Sequence, residues 1–252
     1  MINEVQEKLI ELDSISLKDM DKVALMNRTD TKFIFNTDTL IGALSKLKKY
    51  YSILEIQGKR TANYRTQYFD TEQRDLFIRH QNGKKNRYKI RIRKYIDSDL
   101  CFLEVKFKSN KSRTIKNRIK IADFEANLSQ TSKDFIRENS SLDPDTLVST
   151  LWNNFSRLTL VSKTSRERLT IDLELAFENN SKKTLNQLVI AEVKREGNAP
   201  SEFIKIIKEK HIRPGSMSKY CVGSVLLDDT IKYNNFKPNL LAIKKLTNGL
   251  TA

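Results

Sequence analysis

Residues 89–95 read Lys-Ile-Arg-Ile-Arg-Lys-Tyr, with Lys89, Arg91 and Arg93 at one parity and Ile90 and Ile92 at the other. Side chains on a β-strand point alternately to its two faces, so this spacing describes a strand with one cationic and one aliphatic face. Four further stretches repeat the pattern. Glu104, Lys106 and Lys108 alternate with Leu103, Val105 and Phe107, while Lys116, Arg118 and Lys120 alternate with Ile115, Ile119 and Ile121 around Asn117. Arg166, Arg168, Thr170, Asp172 and Glu174 alternate with Leu169, Ile171, Leu173 and Leu175, and Glu192 and Lys194 complete the set. One such face is ordinary for a sheet that meets water. Five together predict an antiparallel barrel whose aliphatic faces lie under helices and whose charged faces point inward. Buried cations without partners cost heavily in desolvation, so the interior has to hold an anion or water.

The chain has 252 residues, 38% of them hydrophobic, a net charge of +15 and a pI near 9.7. That size suits one domain over residues 1–252, with a core at about 20–228, an N-terminal helix and a basic C-terminal tail. The positive charge points to a polyanion: nucleic acid, an acidic membrane surface or a phosphate-rich small molecule. Cys101 and Cys221 stand in a strand pattern and a helical pattern, which does not make a disulfide framework. Met1 to Leu12 lacks the apolar core of a secretory signal, and no run reaches the ~20 apolar residues that span a bilayer. His80 and His211 stand apart from other ligand-type residues and read as surface histidines rather than zinc ligands.

The fold class is α+β, with eight strands joined largely as hairpins and helices between groups of them. A helix is expected at residues 3–12, then a second apolar segment at Leu17 to Met26, and a helix after the Asn36 cap, where Leu40, Ile41, Ala43, Leu44 and Leu47 share a face. Tyr51 to Ile56 and Ala62 to Phe69 read as a hairpin around Gly58, followed by a helix over Thr71 to His80 that ends near Gly83. Strands follow at 86–95, 100–108 and 113–121, helices at 123–138 and 144–153, and strands at 155–163, 166–176 and 187–195. Two helices, at 200–210 and 218–228, precede a Lys-rich tail from Asp229 that either caps an opening or frays.

Other motifs carry less. Ser216 and Lys219 have the S-x-x-K spacing of serine β-lactam-binding enzymes, but the companion motifs are missing and a helix start explains the serines. No G-x-x-x-x-G-K-[ST] loop is present, so a Walker-type nucleotide cradle is excluded. Tyr64, Tyr68 and Phe69 have the character of base-stacking platforms, although such residues more often pack a strand face.

RTDTKF at 28–33, YRTQYFDT at 64–71, RIRKY at 91–95, LEVKFK at 103–108, KNR at 116–118, RLTID at 168–172, AEVKRE at 191–196 and SKYCVG at 218–223 come in an order that resembles the VTC domain. That family includes polyphosphate polymerases and belongs to the triphosphate tunnel metalloenzymes, or CYTH-like superfamily. The resemblance runs from about residue 20 to residue 226. It implies an eight-stranded tunnel whose basic walls grip a triphosphate or polyphosphate, with Mn2+ or Mg2+ held by glutamate.

By that resemblance, Lys32, Arg91, Arg93, Lys106 and Arg168 are the expected catalytic group. Together with Lys116, Arg118, Arg157, Lys194 and Lys219 they are expected to hold the substrate. Glu192 matches the metal-ligating glutamate, and Glu104, Asp172 and Glu174 rank behind it as metal ligands. The chain departs from the fungal polymerase pattern at Ser216, where a lysine is expected. The implied activity is transfer of the terminal phosphate of a nucleoside triphosphate to polyphosphate, with inorganic triphosphatase or a non-catalytic polyphosphate or inositol phosphate-binding module as alternatives. The expected partners are nucleoside triphosphate and polyphosphate or triphosphate, and nucleic acid is not among them. The expected location is the cytoplasm, either free or at the inner face of a membrane through a membrane-protein partner that exports the product.

Overall fold

The computed structural model describes residues 2–21, 28–111, 114–247 and 249. Among them the chain runs α1 (Ile2–Ile10), β1 (Ser14–Ile15), α2 (Leu17–Asp21), β2 (Arg28–Asn36), α3 (Thr37–Leu47) and β3 (Tyr51–Leu54). Next come β4 (Ala62–Thr71), α4 (Asp75–Gln81), β5 (Arg87–Tyr95), β6 (Leu100–Lys108), β7 (Thr114–Ile121) and α5 (Gln130–Asn139). A 3-10 turn at Pro144–Thr146 leads into β8 (Leu147–Ser162), β9 (Glu167–Glu178), β10 (Lys182–Leu185) and β11 (Leu188–Glu196). The remaining elements are α6 (Glu202–Glu209), α7 (Lys219–Leu227), a second 3-10 turn at Asn234–Phe236 and α8 (Lys237–Leu246).

Eight strands form the wall in the order β2-β11-β9-β8-β4-β5-β6-β7, each antiparallel to its neighbour. The sheet curls into a tunnel-like barrel that hydrogen bonds leave open between its edge strands, β2 and β7. Its outer face is aliphatic, as the alternation predicts. Phe33, Phe35, Leu158, Leu160, Leu169, Ile171, Val189, Ala191 and Val193 pack under α1, α3 and α6. Ile90, Ile92, Leu103 and Val105 pack with Ile136 of α5. A third cluster lies at one end of the inner side, where Leu151, Leu188 and Ile190 meet Tyr220, Cys221 and Val222 of α7, backed by Phe77 of α4 and Ile243 of α8. The tunnel is therefore closed at that end by apolar packing. Among the described residues no helix is long and apolar enough to cross a membrane.

Several elements differ from the sequence-based expectation. The eighth wall strand is β2 rather than the segment after Tyr51, because β3 pairs with β8 and β1 instead of β4. Gln57 and Gly58 do turn, both at positive φ, but only the Ile56–Lys59 bridge forms before the two arms diverge. The helix expected at 144–153 is a single 3-10 turn. Asp143 caps Asp145 N and Pro144 occupies the first turn, and then Leu147 enters a sixteen-residue strand that pairs with β4 and β9. Helix α5 begins only after Ser129, which accepts from Ser132 N, so 123–129 is not helical. Thr71 ends β4 rather than starting a helix. The tail folds, burying Phe236 and Ile243 against the closed end. The stretch 22–26 of the expected Leu17 to Met26 segment, and residue 113 of the strand expected at 113–121, lie outside the described residues.

Two glycines test this packing in opposite directions. A Cβ on Gly223 of α7 would collide with Phe177 and come within 2.9 Å of Leu151, whereas one on Gly42 of α3 would meet only the flexible end of Lys210 at 3.4 Å. Gly223→Ala should therefore cost about 1–3 kcal/mol by overpacking. Gly42→Ala should add about 0.5–1 kcal/mol through helix propensity. Thermal melts of the two variants check the opposite signs.

A basic tunnel as the candidate functional site

Three carboxylates on the inner face are each shared between two cations. Glu104 of β6 accepts from Arg91 of β5 at 2.6 Å and pairs with Lys116 of β7. Asp172 of β9 takes a two-pronged contact from Arg157 of β8, at 2.6 and 2.9 Å, and pairs with Lys219 of α7. Glu192 of β11 pairs with Lys32 of β2 and lies 2.9 Å from Lys194 Nζ. Glu104 and Asp172 are buried, at 1% and 3% exposure, which only paired carboxylates tolerate.

Aromatic faces and hydroxyl groups hold the cations as well. Tyr64 and Phe155 stack at 5.0 Å and 3° between their planes. Arg93 and Arg157 lie within 5.2–5.6 Å of both ring centroids, and Lys219 Nζ lies 4.4 Å from that of Phe155. The negative faces of these rings attract the cations and fix the planes of the guanidinium groups. Arg93 Nε also donates to Thr66 Oγ1 at 3.2 Å, and Lys89 Nζ donates to Ser218 Oγ at 2.9 Å. Ser218 caps α7 by accepting from Cys221 N, so the positive end of that helix faces the same cations.

This crowding sets the electrostatics. Burial disfavours charge on Lys89, Lys106 and Lys219, and with neighbouring cations pushes each down to about 8, although the Lys106 side chain still reaches solvent. Arg93 falls to about 10 for the same reasons, so it stays protonated at neutral pH. Burial alone would raise the carboxylates, but Arg91, Arg93 and Lys116 bring Glu104 down to about 2. Asp172 and Glu192 are likewise held well below the usual range by the cations they bridge.

Lys32, Arg91, Arg93, Lys106, Lys116, Arg157, Lys194 and Lys219 thus line one surface, with Glu104, Asp172 and Glu192 among them. Arg168 shares it by alternation with Thr170 and Asp172, and sits opposite Lys194 in the ladder. Arg118 lies apart on the exposed edge strand, its guanidinium 4.6 Å from the Phe102 centroid. Glu174 leaves the inner face. The β8–β9 register shifts between Asn154 and Ser156, Glu174 adopts φ 53°, and its carboxylate lies 2.6 Å from Ser156 Oγ, which also contacts Asn63 on the outer face. Phe69 is buried in the outer core, and the faces of Tyr64 and Phe155 carry arginines. His80 is half-buried with Nδ1 2.9 Å from Cys221 Sγ, and burial lowers it to about 3, so it is not a surface histidine. Lys89 is the inner cation that the sequence-based site omits, although its parity with Arg91 and Arg93 marks it.

Among the described residues no group of three or more His, Cys, Asp or Glu side chains is arranged to hold a metal ion. A hard cation such as Mg2+ takes one or two carboxylates and completes its shell with phosphate oxygens and water. The chain fits such an ion only on those terms. Glu192 suits it best, because its partners are two flexible lysines and its side chain is 19% exposed, whereas Asp172 is clamped by Arg157 and buried.

The lysine shifts carry a stability consequence. Between about pH 8 and the ordinary lysine value of 10.5, the unfolded chain binds more protons at Lys89 and Lys219 than the folded one does. Stability rises with pH wherever the unfolded state holds more protons. The ligand-free protein should melt a few degrees higher at pH 9.5 than at pH 7 in low salt, as scanning fluorimetry can record. Bound triphosphate should reverse the trend by restoring the lysine charge.

The family model of the VTC domain matches residues 27–227. Comparison with curated proteins gives no match. Among solved structures the chain is similar to a "putative adenylate cyclase" from Bacillus halodurans, at 16% identity and a TM-score of 0.49, covering 77% of this chain and 96% of that one. It is also similar to a "putative adenylyl cyclase" from Hippeastrum, described as having a dominant triphosphatase activity, at 17% identity and a TM-score of 0.48, over 79% and 95% of the two chains. A third, a "putative adenylate cyclase" from Vibrio parahaemolyticus, gives 10%, 0.46, 79% and 99% for the same quantities. Matched by the family model over residues 27–227, well over half of its length, this chain belongs to the VTC domain family.

Proposed function

We propose that this protein transfers the terminal phosphoryl group of a nucleoside triphosphate to a polyphosphate chain held in the basic tunnel. The observation that carries this reading is the charge on the inner face. Lys32, Lys89, Arg91, Arg93, Lys106, Lys116, Arg157, Arg168, Lys194 and Lys219 stand against Glu104, Asp172 and Glu192, and this excess calls for a dense anion. Phosphoryl transfer depends on positioning and on neutralising charge at nonbridging oxygens, which rigid cations supply without a protein nucleophile. An oxygen of the chain's terminal phosphate would bond to the γ-phosphorus while the β–γ bridge breaks. A nucleoside diphosphate leaves and the chain grows by one phosphate. Arg93 and Arg157, fixed on the Tyr64–Phe155 stack, would grip the phosphates in fixed orientation. Lys106 and Lys89 would follow the moving charge as flexible point cations. Glu192 would hold a divalent ion, which supplies further neutralisation of the phosphate oxygens.

Hydrolysis, with water as acceptor, is the second reading. The specific observation in its favour is the apolar closure beneath α7, since a growing chain needs an exit.

Glu192→Gln tests the site. With ATP and Mn2+ or Mg2+, metal-dependent turnover should fall at least about a hundredfold, while triphosphate binding in EDTA persists or tightens because a negative charge is gone. On a polyacrylamide gel, a ladder of products identifies the transferase and orthophosphate alone the hydrolase. Binding without turnover in the wild type would leave a non-catalytic polyphosphate-binding module. Undiminished turnover in the variant would remove Glu192 from the metal role.

A further inference from the structure

A cleft of about 420 Å3 opens on the outer face of the wall, lined by Asn63 and Arg65 of β4, Ile96, Asn154 and Ser156 of β8, and Glu174 of β9. Arg65 stands between Tyr64 and Thr66, whose side chains serve the tunnel arginines, so alternation turns it outward. Its guanidinium lies 4.6 Å from the ring centroid of Trp152, the single tryptophan of the chain. Among the described residues the Arg65 side chain has no carboxylate or hydrogen-bond partner, and its Nε is buried without one.

The opposite pole of the cleft is rich in acceptors. Alternation after Asp172 would aim Glu174 into the tunnel, but the bulge re-aims it to the cleft at φ 53°, a conformation that costs a glutamate strain. Ser156 Oγ lies 2.6 Å from the Glu174 carboxylate and 2.9 Å from Asn63 Oδ1. A hydroxyl carries one proton, so it serves one of these acceptors at a time. Glu174 has no cation partner among the described residues, and Arg65 lines the same cleft without pairing with it. Withdrawing a carboxylate from the tunnel accounts for the bulge. It does not account for two unpaired charges of opposite sign left in one cleft.

From this we infer that the outer cleft binds a small zwitterion, an ω-amino carboxylate. The ammonium group supplies three donors to Glu174, Asn63 Oδ1 and Ser156 Oγ, and the carboxylate meets the forked donors of Arg65. Asn63 and Arg65 are two residues apart on one face, about 6–7 Å along β4. The guanidinium reaches further along the strand onto Trp152, which is in register with Gln67. That span suits several methylenes between the charged ends of the ligand, more than an α-amino acid has. The site is independent of the tunnel, which opens on the other face of the same strands.

Tryptophan fluorescence reads this site directly, because Trp152 is the only emitter of its kind and carries the Arg65 guanidinium. Titrating the full chain with 6-aminohexanoate should give a saturable change with a Kd of about 1 mM or tighter. Hexanoate and hexylamine, each offering one charge, should bind at least about tenfold more weakly, and so should glycine, whose charges are too close together. Arg65→Gln and Glu174→Gln should each weaken 6-aminohexanoate at least about tenfold, judged by half-saturation because loss of the cation changes the baseline emission. Both variants should keep the wild-type affinity for tripolyphosphate, which reports an intact fold. If a variant fails to fold, the comparison of the four ligands on the wild type decides alone. No saturable change, equal affinity for hexanoate or hexylamine, or undiminished affinity in either folded variant overturns the zwitterion site.

Discussion

Everything in this molecule answers to one electrostatic constraint: a curled sheet that turns cations inward has to keep them from driving one another apart. The answer is to set each carboxylate between two cations, at least one of them on a neighbouring element. Arg157 faces Asp172 and Lys32 faces Glu192 directly across their ladders, and Arg91 faces Glu104. Cross-strand pairs of opposite charge also fix register, because a slip of one residue would send every inner side chain to the aliphatic face. The same contacts therefore neutralise the tunnel and hold its strands in place. The apolar clusters outside supply the burial that drives folding, and the inner face determines which arrangement of strands is tolerated.

Helix α7 joins the two regimes. Its first residues are tethered in succession, with Ser218 accepting from Lys89, Lys219 paired with Asp172, and Tyr220 donating its hydroxyl to buried Asp70. Asp70 also accepts from Leu76 N and Phe77 N, so one carboxylate caps α4 and anchors α7. A turn further on, Gly223 brings the helix backbone against Phe177 and Leu151. The charged end of α7 thus aims at the cations while its apolar body closes the tunnel.

The strands β5, β6 and β7 were legible because strict alternation runs through each of them, and the inward cations followed from parity alone. β2 was harder to read. Its outward positions begin with Thr29 and Thr31 and become strongly apolar only at Phe33 and Phe35, so the period is too short to stand out. Residues 144–153 imitate a helix start, with Asp143 as cap, Pro144 in the first turn and Leu147 and Leu151 four apart. Pairing with β4 and β9 overrides that local preference. Glu174 was misplaced because a two-residue period assumes no bulge, and nothing in Leu173 to Leu175 announces one. The identity of the ion pairs lay beyond any local pattern: Lys32 and Glu192 are 160 residues apart, and only the pairing of β2 with β11 makes them neighbours.

The division between arginine and lysine follows from the same constraint. Arg91, Arg93 and Arg157 keep their charge at any physiological pH, and each is pinned by a carboxylate, an aromatic face or both. They are suited to gripping phosphate in a fixed orientation. Lys89 and Lys106 lack a carboxylate partner among the described residues and sit close to neutral pH, where a lysine gains or loses its proton in response to a neighbour. Desolvation and neighbouring cations disfavour the charged form of these lysines, and an arriving phosphate favours it. Rigid arginines and titrating lysines on one wall allow the protein to remain folded without its anion and to hold that anion firmly once it binds.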